Sequence, residues 1–430
     1  MNSKRVLIIT YYWPPSAGSG VQRWLKFAKY LPGFGWEPVI FTPENPDFEL
    51  QDPSLEKDIS SNLEVIKFPI WEPYSIFRKL KGNTQGDPAK ILEKKEKSAF
   101  EQLSIWMRAN LLIPDPRKFW VNPSISFLED AVKNGHYQAI ITTGPPHSMH
   151  LIGLGLHQKT GIPWLADFRD PWSTWEFLDT LPMLSWVRKR HQHLELQVFQ
   201  NANAVTTISP TFQRELETLA QREINLLTNG FDADDFPKDI SDKRFKEKDI
   251  EIVYSGVIDT IRNPLPFLNA FKKAFETSSK TVRLRFVGKV SITVEEFVKA
   301  DSWLASHVEF VGYVSHKEVF EYYQAADILL LILTTTKNAQ GNIPGKLFEY
   351  MASGKMILGL GDPEGDAANI ITQAQAGMIL DPSNEEKIMD VLVNFDPKKE
   401  RSEGNYIERF SRRSLTRNLS GLLQKITLEN

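Results

Sequence analysis

The chain has 430 residues and no cysteine. Disulfides, thiolate metal sites and cysteine nucleophiles are therefore excluded, and a disulfide-free chain fits a reducing compartment. Charge of one sign is also lacking. The 51 Lys and Arg nearly balance the 54 Asp and Glu, for a net charge of −3, so no basic domain is available to track a nucleic-acid backbone. No stretch approaches the roughly 20 consecutive apolar residues that a membrane span requires. The chain starts Met1-Asn-Ser-Lys-Arg5 and enters only a short apolar run, Val6 to Ile9, which reads as a strand and is too short for a signal peptide. A cytoplasmic protein is expected. No repeat of solenoid period occurs. What remains is a soluble globular composition, 41% hydrophobic and 24% charged, on a chain long enough for two domains.

The stretch 341–361, Gly341-Asn-Ile-Pro-Gly-Lys-Leu-Phe-Glu-Tyr-Met-Ala-Ser-Gly-Lys-Met-Ile-Leu-Gly-Leu-Gly361, carries the most chemistry. An apolar strand, Ile328 to Leu333, runs into it. Gly341 to Gly345 give a small-residue loop, Lys346 to Ala352 has helical composition, and Met356 to Leu360 is a second strand. This order aims free backbone N–H groups and a helix dipole at one point, a natural seat for phosphate. Lys346 and Glu349 leave the same face of the short helix, so a cation and a carboxylate flank that seat. The plainer alternative is a βα turn with a surface ion pair.

The rest of the chain repeats one pattern. Strands at Val6–Thr10, Pro38–Phe41, Leu63–Phe68, Ala139–Thr142, Trp164–Ala166 and Ala204–Ile208 alternate with helical stretches, and several end at Gly, Pro or Asp. The first strand leads to Gly18-Ser-Gly20, but a dinucleotide fingerprint fails there. Its third glycine position is Arg23, and Phe41-Thr-Pro43 offers no acidic ribose ligand. In an open parallel sheet ligands bind at the carboxyl ends of strands, so the loops with Gly18–Gly20, Gly144–His147 and Asp167–Asp170 converge on one edge. His147 reads either as a helix-start residue or as a site residue, and Asp167 and Asp170 as N-caps or as site carboxylates. Residues 44–125 are the least regular part. They include a lysine-rich stretch, 78–97, which reads as a solvated helix face or as a surface that docks on anionic lipid heads. A charged linker is expected over 232–249. A second series of strands follows at Ile252–Tyr254, Leu284–Val287, Val308–Val311, Ile328–Leu333 and Met356–Leu360, and closing helices lie between about Glu400 and Ile426. The fold class is α/β, with two doubly wound Rossmann-like domains facing across a cleft.

Several segments, taken together and in order, resemble one family. Tyr11-Tyr-Trp-Pro-Pro with Gly18 and Gly20 resembles its opening glycine loop, and Asn229-Gly-Phe-Asp232 its domain-junction turn. Tyr254-Ser-Gly256 with Arg262 resembles its "G-R-L…K-G" segment. Gly312-Tyr-Val314 followed by Tyr323-Gln-Ala-Ala-Asp327 resembles "G-x-V…Y…A-D". Pro344-Gly-Lys-Leu-Phe-Glu-Tyr-Met-Ala-Ser-Gly-Lys355 resembles "P-x-K-x-x-E-Y-x-A-x-G-K-P". The chain thus resembles, over nearly its whole length, the retaining family 4 glycosyltransferases of GT-B fold, and among them bacterial members that build surface polysaccharides.

The resemblance implies an acceptor-side domain over 1–230, a nucleotide-sugar donor domain over 231–405, and a C-terminal helix, 406–430, packing back on the first. It implies a nucleoside diphosphate sugar as donor, no metal or other cofactor, and a glycan or lipid-linked acceptor, with membrane contact at the inner face as an extension. Glu349 would accept from the ribose hydroxyls, and Gly345, Lys346 and Leu347 would present N–H groups to the diphosphate. Arg262 would neutralise the phosphates beside Gly256, Val314 would lie by the base, and the Gly18–Gly20 loop would close over diphosphate and acceptor. Two departures stand out. The family's first glutamate falls at position 341, where the chain has Gly341 and then Asn342, so backbone amides there would replace a side chain. The usual "H-D" reads Arg169-Asp170, so the imidazole contact to the sugar is missing there and His147 or Asp167 would stand in for it, with Asp170 kept among the expected catalytic residues. An epimerase of the same fold and a non-catalytic nucleotide-sugar-binding subunit are the alternatives. Base, sugar, acceptor and oligomeric state are left open by the residues.

Overall fold

The computed structural model describes residues 4–48, 51–73, 99–236, 249–259, 261–396 and 404–429. The lysine-rich stretch 78–97 and most of the expected linker, 237–248, lie outside the described residues. The chain divides into two compact units, Met1–Thr228 with Arg412–Asn430, and Asn229–Ser411.

In the first unit seven strands form one sheet: β1 Lys4–Ile9, β2 Trp36–Pro43, β3 Glu64–Phe68, β4 Ala139–Gly144, β5 Trp164–Phe168, β6 Ala204–Thr207 and β7 Asn225–Leu226, in spatial order β3-β2-β1-β4-β5-β6-β7. All neighbours pair in parallel. Both faces are covered, which is why β1 reads as a continuous apolar run rather than an alternating one. Leu7 and Ile9 enter the layer with Ile140, Trp164 and Phe168, while Val6 and Ile8 enter the opposite layer with Trp24, Phe27 and Leu31. The last helix, Arg412–Leu428, completes that second layer with Leu415, Leu419, Leu423 and Ile426, a spacing that lines one helix face.

The second unit holds a six-stranded parallel sheet: β8 Ile250–Ser255, β9 Val282–Val287, β10 Val308–Gly312, β11 Ile328–Ile332, β12 Met356–Leu360 and β13 Gly377–Leu380, in order β10-β9-β8-β11-β12-β13. The same two-sided burial holds, with Ile328 and Leu330 on one face of β11 and Leu329 and Leu331 on the other. In each sheet the chain builds three strands outward in one direction and then returns to the far side of the first. The reversals fall at β1/β4 and at β8/β11, and such switch points open a crevice beyond the carboxyl ends of the two strands.

Within 44–125, the least regular part by sequence, the structure adds the helix Ala99–Leu111 and the start of a second, Lys118–Lys133. Pro114, Pro116 and Pro123 obscured the second, because proline inside a helix removes a backbone bond. Trp120, Ile125, Leu128 and Val132 bury its apolar face and hold it in place. The short edge strands β7 and β13 also escaped detection, since two to four residues give too little pattern.

Candidate functional site

At the β8/β11 switch point the residues of 341–361 meet the end of β8. The chain leaves β8 through Gly256, whose φ of +119° lies where side chains other than glycine are strained. A Cβ there would lie 3.3 Å from the Lys346 Nζ. Pro344 precedes the helix Gly345–Ala352, and Lys346 in its first turn reaches back to β8. The Lys346 ammonium donates to the Ser255 carbonyl at 2.6 Å and lies 3.9 Å from the centroid of the Tyr254 ring. Burial, with the nearby positive charge of Arg262, pulls its pKa down to about 7, against a smaller opposing pull from Glu349. Arg262 is itself held by Asp259 at 2.7 Å.

Glu349, one helical turn beyond Lys346, is oriented by two aromatic donors. His316 Nε2 lies 3.2 Å from its Oε1, and the Tyr323 hydroxyl donates to Oε2 at 3.4 Å. Tyr323 also contacts the Ser255 hydroxyl at 2.8 Å, and that hydroxyl meets the Tyr350 hydroxyl at 3.1 Å. Burial holds the Tyr323 and Tyr350 phenols above their ordinary range, so both stay protonated. One serine at the end of β8 therefore joins Lys346 through its carbonyl and Glu349 through a buried phenol. Sequence reading missed Ser255, His316, Tyr323 and Tyr350 as one cluster, although Ser255, Tyr323 and Tyr350 each lay inside a quoted motif.

The remaining donor-side expectations are placed as follows. Gly345 and Lys346 occupy the first helical positions, where N–H groups have no preceding helical carbonyl. The Leu347 N–H is already engaged by the Pro344 carbonyl at 3.0 Å, and its side chain is fully buried, so Leu347 acts as core rather than as an anion donor. Gly341 closes a 3-10 turn, and the Asn342 amide donates to Thr334 Oγ1 at 3.3 Å. Val314 is half-buried against the core, beside an exposed Tyr313.

In the first unit the β1/β4 switch point collects the other expected residues. Gly18, with φ +103°, begins the helix Ser19–Tyr30. Gly20 lies against the Arg169 guanidinium so closely that any Cβ would displace it. Arg169 Nε donates to the Gly144 carbonyl at 3.2 Å, which ties the loops after β1, β4 and β5 together.

His147 stacks on Trp172 with centroids 4.8 Å apart and rings parallel within 1°. Burial, with lesser contributions from His150, His191 and Arg169, lowers its pKa well below the usual imidazole value, so it is neutral at ordinary pH. The carboxylate of Asp170 makes no side-chain hydrogen bond among the described residues, and burial raises its pKa.

Asp167 differs from both. It has no accessible surface, and its register on β5 sets it between Thr143 and Thr206. It accepts from Arg23 at 2.7 and 3.0 Å, Trp24 Nε1 at 3.0 Å, Thr143 at 3.1 Å and Thr206 at 2.8 Å. A carboxylate enclosed and occupied in this way cannot also face a substrate. The structure makes Asp167 a scaffold residue, which removes it from the expected catalytic set. The same contacts explain Arg23, which broke the dinucleotide fingerprint: it is fully buried and also donates to the carbonyls of Leu227 and Thr228 at 2.9 and 2.8 Å.

No cluster of three or more potential metal ligands occurs among the described residues. Among them no helix is long and apolar enough to cross a membrane.

Residues 249–395 match the family model described as Glycosyl transferases group 1. No curated protein sequence matches the chain. Among solved structures, a sucrose-phosphate synthase from Thermosynechococcus elongatus is 16% identical, with a TM-score of 0.68 over 99% of this chain and 100% of that one. HepE of Anabaena, in complex with UDP and glucose, is 14% identical, with a TM-score of 0.64 over 98% of this chain and 100% of that one. A putative UDP-N-acetylglucosamine 2-epimerase from Listeria monocytogenes is 10% identical, with a TM-score of 0.57 over 100% and 98% of the two chains. Residues 249–395 of the second unit are thus similar to a group 1 glycosyltransferase domain, and the two parallel α/β units share the GT-B fold of their structural neighbours.

Proposed function

We propose that the protein is a retaining glycosyltransferase that moves a hexose or N-acetylhexosamine from a nucleoside diphosphate sugar to a glycan or lipid-linked acceptor in cell-surface polysaccharide synthesis. The observation that carries the reading is the joint placement of Lys346 and Glu349 about Ser255 at a switch point of the second unit. A diphosphate seated over Gly256 would meet the Lys346 ammonium, the Gly345 and Lys346 amides and the Arg262 guanidinium. Glu349 would accept from the ribose hydroxyls. As the bond from the sugar C1 to the β-phosphate oxygen breaks, its electron pair leaves with the nucleoside diphosphate. Fixed cations and amides stabilise the charge that develops there, so the protein's own groups suffice and no metal is required. The acceptor oxygen bonds to C1 on the same face, and its proton passes to a β-phosphate oxygen. We assign His147 and Asp170 to the acceptor side. His147 is neutral and fixed by stacking, which suits a hydrogen bond to a sugar hydroxyl.

A lipid-linked acceptor at the inner face of the cytoplasmic membrane is favoured by exposed Trp71, Trp106, Leu111 and Phe119, with Arg108 and Lys118 among them.

Turnover of nucleoside diphosphate sugars with and without acceptor tests the reading. Glu349→Ala is expected to lower donor turnover at sub-saturating concentration by about 10–100-fold, the worth of hydrogen bonds to a charged group, while leaving the thermal melt unchanged. Full activity in that variant would remove Glu349 from the site. Isomerisation of the donor sugar in the absence of acceptor would favour an epimerase instead. Donor binding with no product from any acceptor would favour a binding subunit.

A further inference from the structure

The helix that faces Glu349 is fixed in register by its own first turn. Ser315 and Glu318 form a capping box, in which the Ser315 hydroxyl accepts from the Glu318 N–H at 3.4 Å and the Glu318 carboxylate accepts from the Ser315 N–H at 3.0 Å. The box starts the helix His316–Ala325 at His316. Tyr323 follows seven residues later, two turns on, so the two side chains leave the same face. Phe320 stands between them, edge-on to the His316 ring at 5.1 Å and to the Tyr323 ring at 5.4 Å, and is itself buried. Phe320 thus limits both rings to orientations in which their polar atoms reach Glu349.

Glu349 and His316 are only 18% and 22% exposed in their side chains, so this pair is partly shielded from water. A carboxylate only accepts, so the proton in the contact is on His316 Nε2. It also accepts about four hydrogen bonds, and the His316 and Tyr323 donors orient it by taking one oxygen each. An unheld glutamate has three rotatable bonds to order when a ligand binds, and ordering them costs affinity.

We infer that His316 is a positioning residue for Glu349. Its Nε2–H fixes Oε1 while Tyr323 fixes Oε2, so the carboxylate meets the ribose 2′- and 3′-hydroxyls in one orientation. The preference for ribonucleotides over 2′-deoxyribonucleotides depends on that hold. The inference rests on the reading of Glu349 as the ribose acceptor, and the test separates the two.

The probes are UDP, ADP, GDP and CDP with their 2′-deoxy counterparts, titrated calorimetrically into the full-length protein; the tightest-binding pair is followed through the variants. The wild type is expected to favour the ribonucleotide by about tenfold or more, the value of one hydrogen bond to a charged group. His316→Ala should cut that ratio to about threefold or less, mainly by weakening the ribonucleotide. His316→Gln, which retains an N–H donor, should restore most of it. Glu349→Ala should erase the ratio, and adding His316→Ala to it should change nothing further. A His316→Ala ratio equal to the wild type, with Glu349→Ala erasing it, overturns the role of His316 and leaves Glu349 in place. Equal weakening of both nucleotides by His316→Ala, not rescued by glutamine, shows a merely structural role and also overturns it. An undiminished ratio in Glu349→Ala, or no binding of any probe, fails the ribose reading itself. Thermal melts of each variant identify any that does not fold, and His316→Gln then carries the comparison.

Discussion

Asp167→Asn is expected to lower the unfolding free energy by about 3–5 kcal/mol, the cost of breaking a buried ion pair while leaving its partner in place. The partner is Arg23, which like Asp167 has no exposed side-chain surface. Asparagine keeps the shape but offers one acceptor oxygen where five donor contacts converge, and it removes the charge that balances the guanidinium. Two backbone carbonyls, of Leu227 and Thr228, continue to accept from Arg23, but they are dipoles and do not neutralise it. Urea unfolding measures the loss.

The pH dependence has a definite sign. Burial raises the Asp167 pKa, but Arg23 and the Thr206 hydrogen bond outweigh it, and the net value is below the ordinary carboxylate range. A depressed folded value means that the stabilisation is present at pH above the unfolded value and is lost as pH falls through the folded one. The wild type should therefore lose this contribution only in acid, and Asp167→Asn should lack it throughout. A variant of unchanged stability that has lost turnover would return Asp167 to the catalytic set.

The second large effect concerns Lys346. Lys346→Met should reduce turnover about 100–1000-fold, the scale of losing one fixed donor to a developing negative charge. It should also change the pH dependence of nucleotide binding. With its pKa drawn down to about 7 by burial and Arg262, the free protein holds Lys346 partly neutral at ordinary pH. A diphosphate favours the charged form, so binding takes up a proton. Affinity should be level below pH 7 and fall by up to about tenfold per pH unit above it, until the pKa of the bound state is reached. Calorimetry in buffers of different ionisation enthalpy reads the proton directly. A nucleoside diphosphate sugar is the better probe, because its diphosphate has no terminal group titrating near neutrality. Level affinity between pH 6 and 9 with Lys346 intact would show that the ammonium does not meet the phosphates. Lys346→Arg, always charged, should abolish the slope even where it retains some binding.

Much of this architecture was legible without coordinates, and the reason is periodicity. The strands of a parallel sheet covered on both faces are continuous apolar runs, and β1, β11 and β12 show this in the sequence. Their alternation with helical stretches implies right-handed crossovers and hence two doubly wound units. Glycines at the strand ends mark the loops that approach ligands closely. The helix Lys118–Lys133 was not legible, because Pro123 interrupts the local signal and burial of its apolar face overrides it.

The candidate site divides along similar lines. Lys346 and Glu349 stand three apart on one helix, so a short stretch of sequence sets their common face. Asp167 and Asp170 could not be separated by sequence, since both follow the same strand and both suit a site. The tertiary structure decides between them. Register places Asp167 between two threonines, where Arg23 reaches it, while Asp170 lies past the end of β5 and makes no side-chain hydrogen bond among the described residues.

By itself the sequence determined the fold class, the two α/β units and the stretch 341–361, because these follow from local pattern and turn chemistry. Only the tertiary structure decided what surrounds that stretch. Ser255, His316, Tyr323 and Tyr350 come from three different elements and meet at Glu349 and Lys346 through a switch in strand order. No spacing in one chain encodes such a meeting, because it depends on which strands become neighbours.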